Sequence, residues 1–291
     1  MSQKYALITG ASSGIGYAVA LKLCKLGYKV FGCAPEPFVA EMFPLRDEYG
    51  LVPFACDITN VEDIKKSVEL IRKISGGRLD ILYNNAGIAL GGPAGEVEPE
   101  EVELVFKVNV FGHIYMTKYF LDFVIATKGT IVFTCSVAAR VPLSWTSLYN
   151  ASKAAIDQYA WNLHAEMKPF GVRVHSIVTG GVDTAIGDAS TKTAKLGREG
   201  SRYDVEGIDE SIFATGRMAR DTKFSPNKYA NNVVRDIIRK DGRFNLYHGY
   251  KAYSLHLLSR FAPVWFVEWV IAIYFKQTKV LRNVRRQIAK K

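Results

Sequence analysis

The run Tyr5-Ala6-Leu7-Ile8-Thr9 passes without a linker into Gly10-Ala11-Ser12-Ser13-Gly14-Ile15-Gly16. A short apolar run of that kind suits a strand buried on both faces of a parallel sheet. The glycines let the backbone turn tightly and let another group approach it closely. A helix is expected from there to about Leu26, with Gly27 closing it, and then a second strand over Lys29 to Cys33. Strand, glycine turn, helix and strand in this order are the opening unit of a doubly wound α/β sheet. Such a turn suits a phosphate, because the helix start offers free N–H groups and the positive end of its dipole. Gly10, Ser12, Ser13, Gly14, Ile15 and Gly16 are the candidate cradle.

The remaining chain repeats the alternation. Strands are expected over Leu51 to Cys56, Leu79 to Tyr83, Thr130 to Thr134, Val172 to Val178 and Arg243 to Tyr247. Helices are expected between them. One is opened by a capping box of Thr59 and Glu62, and one runs from the acidic stretch Glu96 to Glu103 as far as about Ile125. Another spans Tyr149 to Met167, and Ser225-Pro226 starts one that reaches about Lys240. The expected fold is a single doubly wound, mostly parallel Rossmann-type domain over residues 1–250, with a C-terminal extension over 251–291. Residues 185–223 are polar, basic and weakly patterned, and read as a lid over the site.

Ligands of open α/β sheets sit beyond the carboxyl ends of the strands. Several polar residues fall there. Asp57 follows the third strand and is either a loop acid or an acceptor for an adenine amino group. Asn84-Asn85-Ala86-Gly87 ends the fourth strand and suits a turn shaped against a ligand, and Ser136 follows the fifth. Asn109 lies mid-helix among Val108, Val110 and Phe111, and is either a satisfied core amide or a site residue. Tyr149 and Lys153 are one helical turn apart on one face. An ammonium beside a phenol favours the phenolate, so the Tyr149 pKa is expected to fall, which suits a group that passes a proton to or from a carbonyl oxygen.

Composition narrows the partners. A net charge of +10 over 291 residues invites an anionic surface or a phosphorylated substrate. Nucleic acid is not expected, because no zinc finger, recognition helix or RNA-binding signature is present. Cys24, Cys33, Cys56 and Cys135 lie unpaired in apolar segments and read as reduced, buried thiols. The five histidines show no ligand-like clustering, so no metal site is expected. The chain enters its first strand almost at once, and no signal or transit segment is expected before it.

Taken together, Thr9-Gly10, Gly14-Ile15-Gly16, Asn84-Asn85-Ala86-Gly87, Asn109, Ser136 and Tyr149 with Lys153 resemble the short-chain dehydrogenase/reductase family over roughly residues 3 to 250. The resemblance implies a nicotinamide coenzyme and oxidoreductase chemistry. It implies that Tyr149 is the general acid/base, that Lys153 lowers its pKa and holds the nicotinamide ribose, and that Ser136 hydrogen-bonds the substrate oxygen. Asn109 would hold a water in a proton relay, and Asn109 and Tyr149 would also lie against the coenzyme. Asn85, Ala86 and Gly87 would lie against the coenzyme, Asp57 would face the adenine, and Gly181, Val182 and Thr184 would meet the carboxamide end. Two departures are visible. Thr179-Gly180 stands where the family often has Pro-Gly, and Ala34-Pro35-Glu36 carries neither the Arg usual for NADP nor the Asp usual for NAD.

The strings Leu82 to Gly87, Phe106 to His113 and Ala165 to Phe170 are similar to those of fungal 1-acyldihydroxyacetone-phosphate reductases. That likeness implies NADPH, with NADH still open, a lipid substrate, and endoplasmic reticulum and lipid-droplet surfaces. By analogy with the family it also implies a homo-oligomer. Lys192, Lys195, Arg198, Arg202, Arg217, Arg220 and Lys223 of the lid are candidate phosphate partners. Phe261 to Phe275 is apolar and aromatic, too short to span a bilayer, and interrupted by Glu268. Beyond it come Lys279, Arg282, Arg285, Arg286, Lys290 and Lys291. An interfacial membrane helix or shallow hairpin is expected, with a buried subunit-interface helix and solvated tail as the alternative. The rival activities are a hydroxysteroid or retinol dehydrogenase and an inactive lipid-binding protein of the same fold.

Overall fold

The computed structural model describes residues 2–187, 200–239 and 242–290. Among them, β1 (Tyr5–Thr9), β2 (Lys29–Ala34), β3 (Val52–Ala55), β4 (Ile81–Asn84), β5 (Thr130–Ser136), β6 (Arg173–Thr179) and β7 (Asn245–His248) form one sheet. Its order is β3-β2-β1-β4-β5-β6-β7 and every neighbouring pair is parallel. The chain reverses direction across the sheet between β1 and β4. That reversal opens a crevice at their carboxyl ends.

Strand alternation feeds two cores. Ala6 and Ile8 of β1 point to one face, where Val19 and Leu23 of α1 (Gly14–Lys25) meet Tyr229 and Val233 of a later helix, Pro226–Ile238. Leu7 points to the other, among Phe31, Ile64, Met116, Phe120 and Ile156. That second layer comprises α3 (Val61–Ser75), α5 (Gly112–Ile125) and α6 (Ser147–Glu166), while α2 (Phe43–Tyr49) follows β2. All four cysteines are buried and free.

Several expected elements shift. Asn60, not Thr59, caps α3, its Oδ1 accepting from the N–H groups of Glu62 and Asp63. Thr59 instead donates through its N–H and Oγ1 to Asp57 Oδ1, each at 2.9 Å. The long helix expected to Ile125 is α4 (Pro99–Phe106) joined to α5 through a π turn, Lys107–Phe111. Residues 208–221, expected within a weakly patterned lid, form a regular helix, α7 (Ile208–Asp221). Ile208, Ile212, Thr215 and Gly216 turn inward at helical spacing, which is why it folds. Lys192, Lys195 and Arg198 lie outside the described residues. Ser225 caps α8 (Pro226–Ile238) by accepting from Lys228 N–H.

The C-terminal extension is three helices, α9 (Ala252–Phe261), α10 (Val264–Tyr274) and α11 (Gln277–Ile288). It packs on the domain. Val267, Ile271 and Phe275 bury against Ala138, Val141 and Leu143, and Val280 buries beside Trp145, Ile208 and Ile212. Ser211 ties the pieces together. Its Oγ accepts from Trp145 Nε1 at 2.9 Å and donates to the Phe275 carbonyl at 2.7 Å. The outer side of α10 remains uncovered, with Trp265 68% and Trp269 57% exposed. No helix among the described residues is long and apolar enough to cross a membrane.

Candidate active site

The glycine turn needs its glycines for two separate reasons. Gly10 sits at φ +65°, in the left-handed region that side chains disfavour. At Gly16 the reason is space. A Cβ there would stand 2.1 Å from the Gly10 carbonyl oxygen and 2.6 Å from Asn85 Nδ2. Ser13 starts α1 without a side-chain cap, so the first N–H groups of that helix are left for a ligand. This open cradle of backbone donors fits a dinucleotide pyrophosphate.

The β4 end is held from three sides. Thr9 Oγ1 accepts from the N–H groups of Asn85 and Ala86 at 2.9 and 3.0 Å. Asn85 Nδ2 donates to the Thr9 carbonyl at 3.1 Å, and Thr134 Oγ1 donates to Asn85 Oδ1 at 3.1 Å. Asn109, within the π turn, accepts from Ile88 N–H at 2.9 Å and donates to the Ile88 carbonyl at 2.9 Å. Its Nδ2 also donates to Ser152 Oγ at 3.0 Å. Both amide hydrogens are therefore engaged, and only Oδ1 has capacity left for a water.

Ser136 ends β5, and Tyr149 and Lys153 lie in the first two turns of α6. The Ser136 hydroxyl accepts from Ala138 N–H at 3.1 Å. Lys153 is 2% exposed, and its Nζ donates to the Thr134 carbonyl at 2.8 Å, 5.7 Å from the Tyr149 ring centre. The expected fall in the Tyr149 pKa is not what this geometry gives. Burial pushes the phenol up and outweighs the Ser136 hydrogen bond, which acts in the opposite sense. The Lys153 ammonium is directed at Thr134, not at the phenol. Burial pushes Lys153 itself down to about 8.

These groups surround one cavity of about 580 Å³. Gly10, Ser12, Ser13, Gly14, Ile15, Asp57, Asn85, Ala86, Gly87, Ser136, Tyr149, Lys153, Gly181, Val182 and Thr184 line it. Two residues expected against the coenzyme do not. Gly16 packs under the turn and Asn109 stands behind Gly87 and Ile88. Thr179, in the place of the usual proline, is held by Tyr229, with the hydroxyls 2.6 Å apart. None of the described lid cations, Arg202, Arg217, Arg220 or Lys223, reaches the lining. Ala34 and Pro35, singled out for coenzyme preference, line one end, and the sequence reading missed Phe38 there and Ala138, Leu143, Thr215 and Met218 at the other. The stripe Ile208, Ile212, Thr215 was a legible signal for the second group.

The chain matches the family model described as short chain dehydrogenase over residues 4–195. It is 40% identical over 283 residues to the NADPH-dependent 1-acyldihydroxyacetone phosphate reductase of Saccharomyces cerevisiae, covering 96% of this chain and 93% of that protein. The Schizosaccharomyces pombe protein of the same name is 40% identical over 186 residues, 64% of this chain and 62% of that one. A short-chain dehydrogenase from Streptomyces avermitilis superposes with a TM-score of 0.76 at 25% identity, covering 97% of this chain and 98% of the other.

Proposed function

The chain belongs to the short-chain dehydrogenase family, and from that premise we propose that it reduces the ketone of 1-acyldihydroxyacetone phosphate to 1-acylglycerol 3-phosphate with NADPH, in the synthesis of phospholipid and triacylglycerol precursors. The observation that carries this reading is the similarity, over nearly the whole chain, to the Saccharomyces cerevisiae reductase. The geometry is compatible with it. Ser136 and Tyr149 line one cavity together with the apolar side chains of Ala138, Leu143 and Met218, which pack in one cluster with Tyr149.

The coenzyme, when bound, supplies the hydride that reaches the carbonyl carbon. Backbone N–H groups of residues 12–15 would hold its pyrophosphate, with Asp57 at the adenine end. Lys153 would hold the nicotinamide ribose, Asn85, Ala86 and Gly87 would lie against the coenzyme, and Gly181, Val182 and Thr184 would meet its carboxamide. Tyr149 donates a proton to the ketone oxygen, and Ser136 donates a hydrogen bond to the same atom as negative charge builds there. The raised phenol pKa keeps Tyr149 protonated at neutral pH, which suits reduction. Asn109 holds a water through the free capacity of its Oδ1.

The same proposal has the enzyme attached to the cytoplasmic face of the endoplasmic reticulum and to lipid droplets, as a homo-oligomer. Support for attachment comes from the uncovered apolar side chains Phe261, Trp265, Trp269, Ile273 and Tyr274. Exposed Arg282, Arg285 and Arg286 on α11 add attraction to an anionic surface, roughly 1 kcal/mol each when close to it. Lys276 and Lys279 are instead paired with Glu210 and Glu206.

The deciding assay follows NADPH and NADH oxidation against acyl-dihydroxyacetone phosphate, a steroid ketone and retinal. The expected result is fastest turnover with the acyl phosphate and NADPH. Faster reduction of the steroid or of retinal would reassign the substrate. No turnover with any ketone would leave a lipid-binding protein.

A further inference from the structure

His113 is fully buried on α5, four residues beyond Asn109. Its Nε2 lies 2.7 Å from the Ala86 carbonyl oxygen. A carbonyl only accepts, so Nε2 carries the proton. Burial, with the Lys153 charge nearby, pushes the His113 pKa down to about 3, so the ring is neutral at any working pH. The neutral ring with its proton on Nε2 leaves Nδ1 an acceptor, and Nδ1 has no partner among the described residues. One hydrogen bond is thus the only polar contact this ring makes there, and it is made to a backbone group of the cavity wall.

The Ala86–Gly87 peptide is planar and trans, with C=O and N–H pointing in opposite directions. Fixing the Ala86 carbonyl on His113 turns the Gly87 N–H away from His113, and Ala86 and Gly87 line the cavity while His113 does not. Glycine on the far side of that peptide makes a flip sterically cheap. Thr9 fixes the peptide before it and Asn109 the one after it. His113 alone, among the described residues, secures this one from the side chain.

We propose that His113 is a positioning residue for the coenzyme: it locks the Ala86–Gly87 peptide so that the Gly87 N–H, and not the Ala86 carbonyl, faces the bound dinucleotide. The inference rests on the coenzyme reading above. It is tested by titrating the full-length protein with NADPH and with NADH, followed by nucleotide fluorescence. His113→Phe keeps bulk against Phe133 and removes the donor. His113→Gln keeps an N–H that can reach the carbonyl. The Phe variant is expected to raise the Kd by about tenfold or more and the Gln variant by less than about threefold, as befits one buried hydrogen bond. Both should leave KM for the ketone unchanged at saturating coenzyme. Equal loss of affinity in both, or loss in neither, assigns His113 to packing alone and overturns the proposal. Wild-type protein that takes up neither nucleotide overturns the coenzyme reading itself. A measurement needing no variant is the imidazole nitrogen spectrum, expected to show the neutral ring with Nε2 protonated from about pH 5 to 8. An imidazolium, or a proton on Nδ1, also overturns it.

Discussion

Lys153 Nζ donates to the main-chain carbonyl of Thr134 at 2.8 Å. The bond joins α6 to the end of β5 and holds a nearly inaccessible ammonium in the cavity wall. Its pKa is about 8 in the folded chain against an ordinary value of 10.5. Below pH 8 the lysine is charged both folded and unfolded, and the full burial cost is present. Between 8 and 10.5 the unfolded chain binds the proton more, so the contribution of Lys153 to stability rises with pH. Raising pH from about 8 to 9.5 should stabilise coenzyme-free wild type by about 1–2 kcal/mol relative to Lys153→Met. Urea midpoints at both pH values read this directly. A difference that stays flat would mean the folded lysine keeps its ordinary pKa.

The proposed acid, Tyr149, carries its proton at neutral pH, and burial pushes its pKa further up. Tyr149→Phe keeps the ring and removes that proton. Turnover should fall about 10²–10⁴-fold, the span typical of a positioned general acid. Ser136→Ala should lose about 10²–10³-fold, as for one donor to a developing oxyanion. Coenzyme affinity should hold in both, because neither hydroxyl belongs to the phosphate cradle. Initial rates at saturating NADPH, paired with nucleotide titration, separate the two effects.

Spacing announced the parts of this molecule that depend on local chemistry. The run from Tyr5 to Gly16 showed the strand, turn and helix because buried strands and backbone-exposing turns each demand few residue types. Tyr149, Lys153 and Ser136 stood out by position only together with the other motifs, their roles came from the family resemblance, and they line one cavity. Properties that depend on distant neighbours were not visible. The Tyr149 pKa turned on where the Lys153 ammonium points, and that depends on Thr134, nineteen residues earlier in the chain. Asn109 could be read either as core or as site. It is buried, and it shapes the wall from behind through Ile88. His113 looked like part of a kinship string, because its partner Ala86 is twenty-seven residues away. The contacts of α10 and α11 with Leu143 and Trp145 join opposite halves of the sequence, beyond any periodicity argument.

Gly16 tests the cradle without touching chemistry. An added methyl would meet the backbone oxygen of Gly10 at 2.1 Å, a group that cannot swing aside. Gly16→Ala should cost about 1–3 kcal/mol or more through overpacking and should weaken coenzyme binding, because Asn85 and the turn must move together. Gly95→Ala, where nothing lies within 4 Å, is the matched control and should stay within about 0.5 kcal/mol. Thermal melts with and without NADPH compare the two.

The C-terminal helices face two ways, so the proposed membrane attachment and turnover must be separated by position. On the inner face, Val267, Ile271 and Phe275 back Ala138 and Leu143, which line the cavity, and Tyr149 and Met218 pack on the same cluster. On the outer face, Trp265 and Trp269 are exposed. Removing everything beyond Leu258 would therefore strip the substrate wall as well as any membrane contact. Such a truncation should lose turnover even on a short, water-soluble ketone. Trp265→Ser with Trp269→Ser should leave that soluble reaction within about twofold, because surface changes of this kind barely alter the core. The same double variant should bind vesicles rich in anionic lipid more weakly, as the loss of two exposed indoles from an interfacial helix requires. Sedimentation with vesicles and a soluble-ketone assay on one preparation read both faces at once. Undiminished vesicle binding in the double variant would move the attachment surface away from α10, while loss of soluble turnover would show that the outer indoles also support the wall.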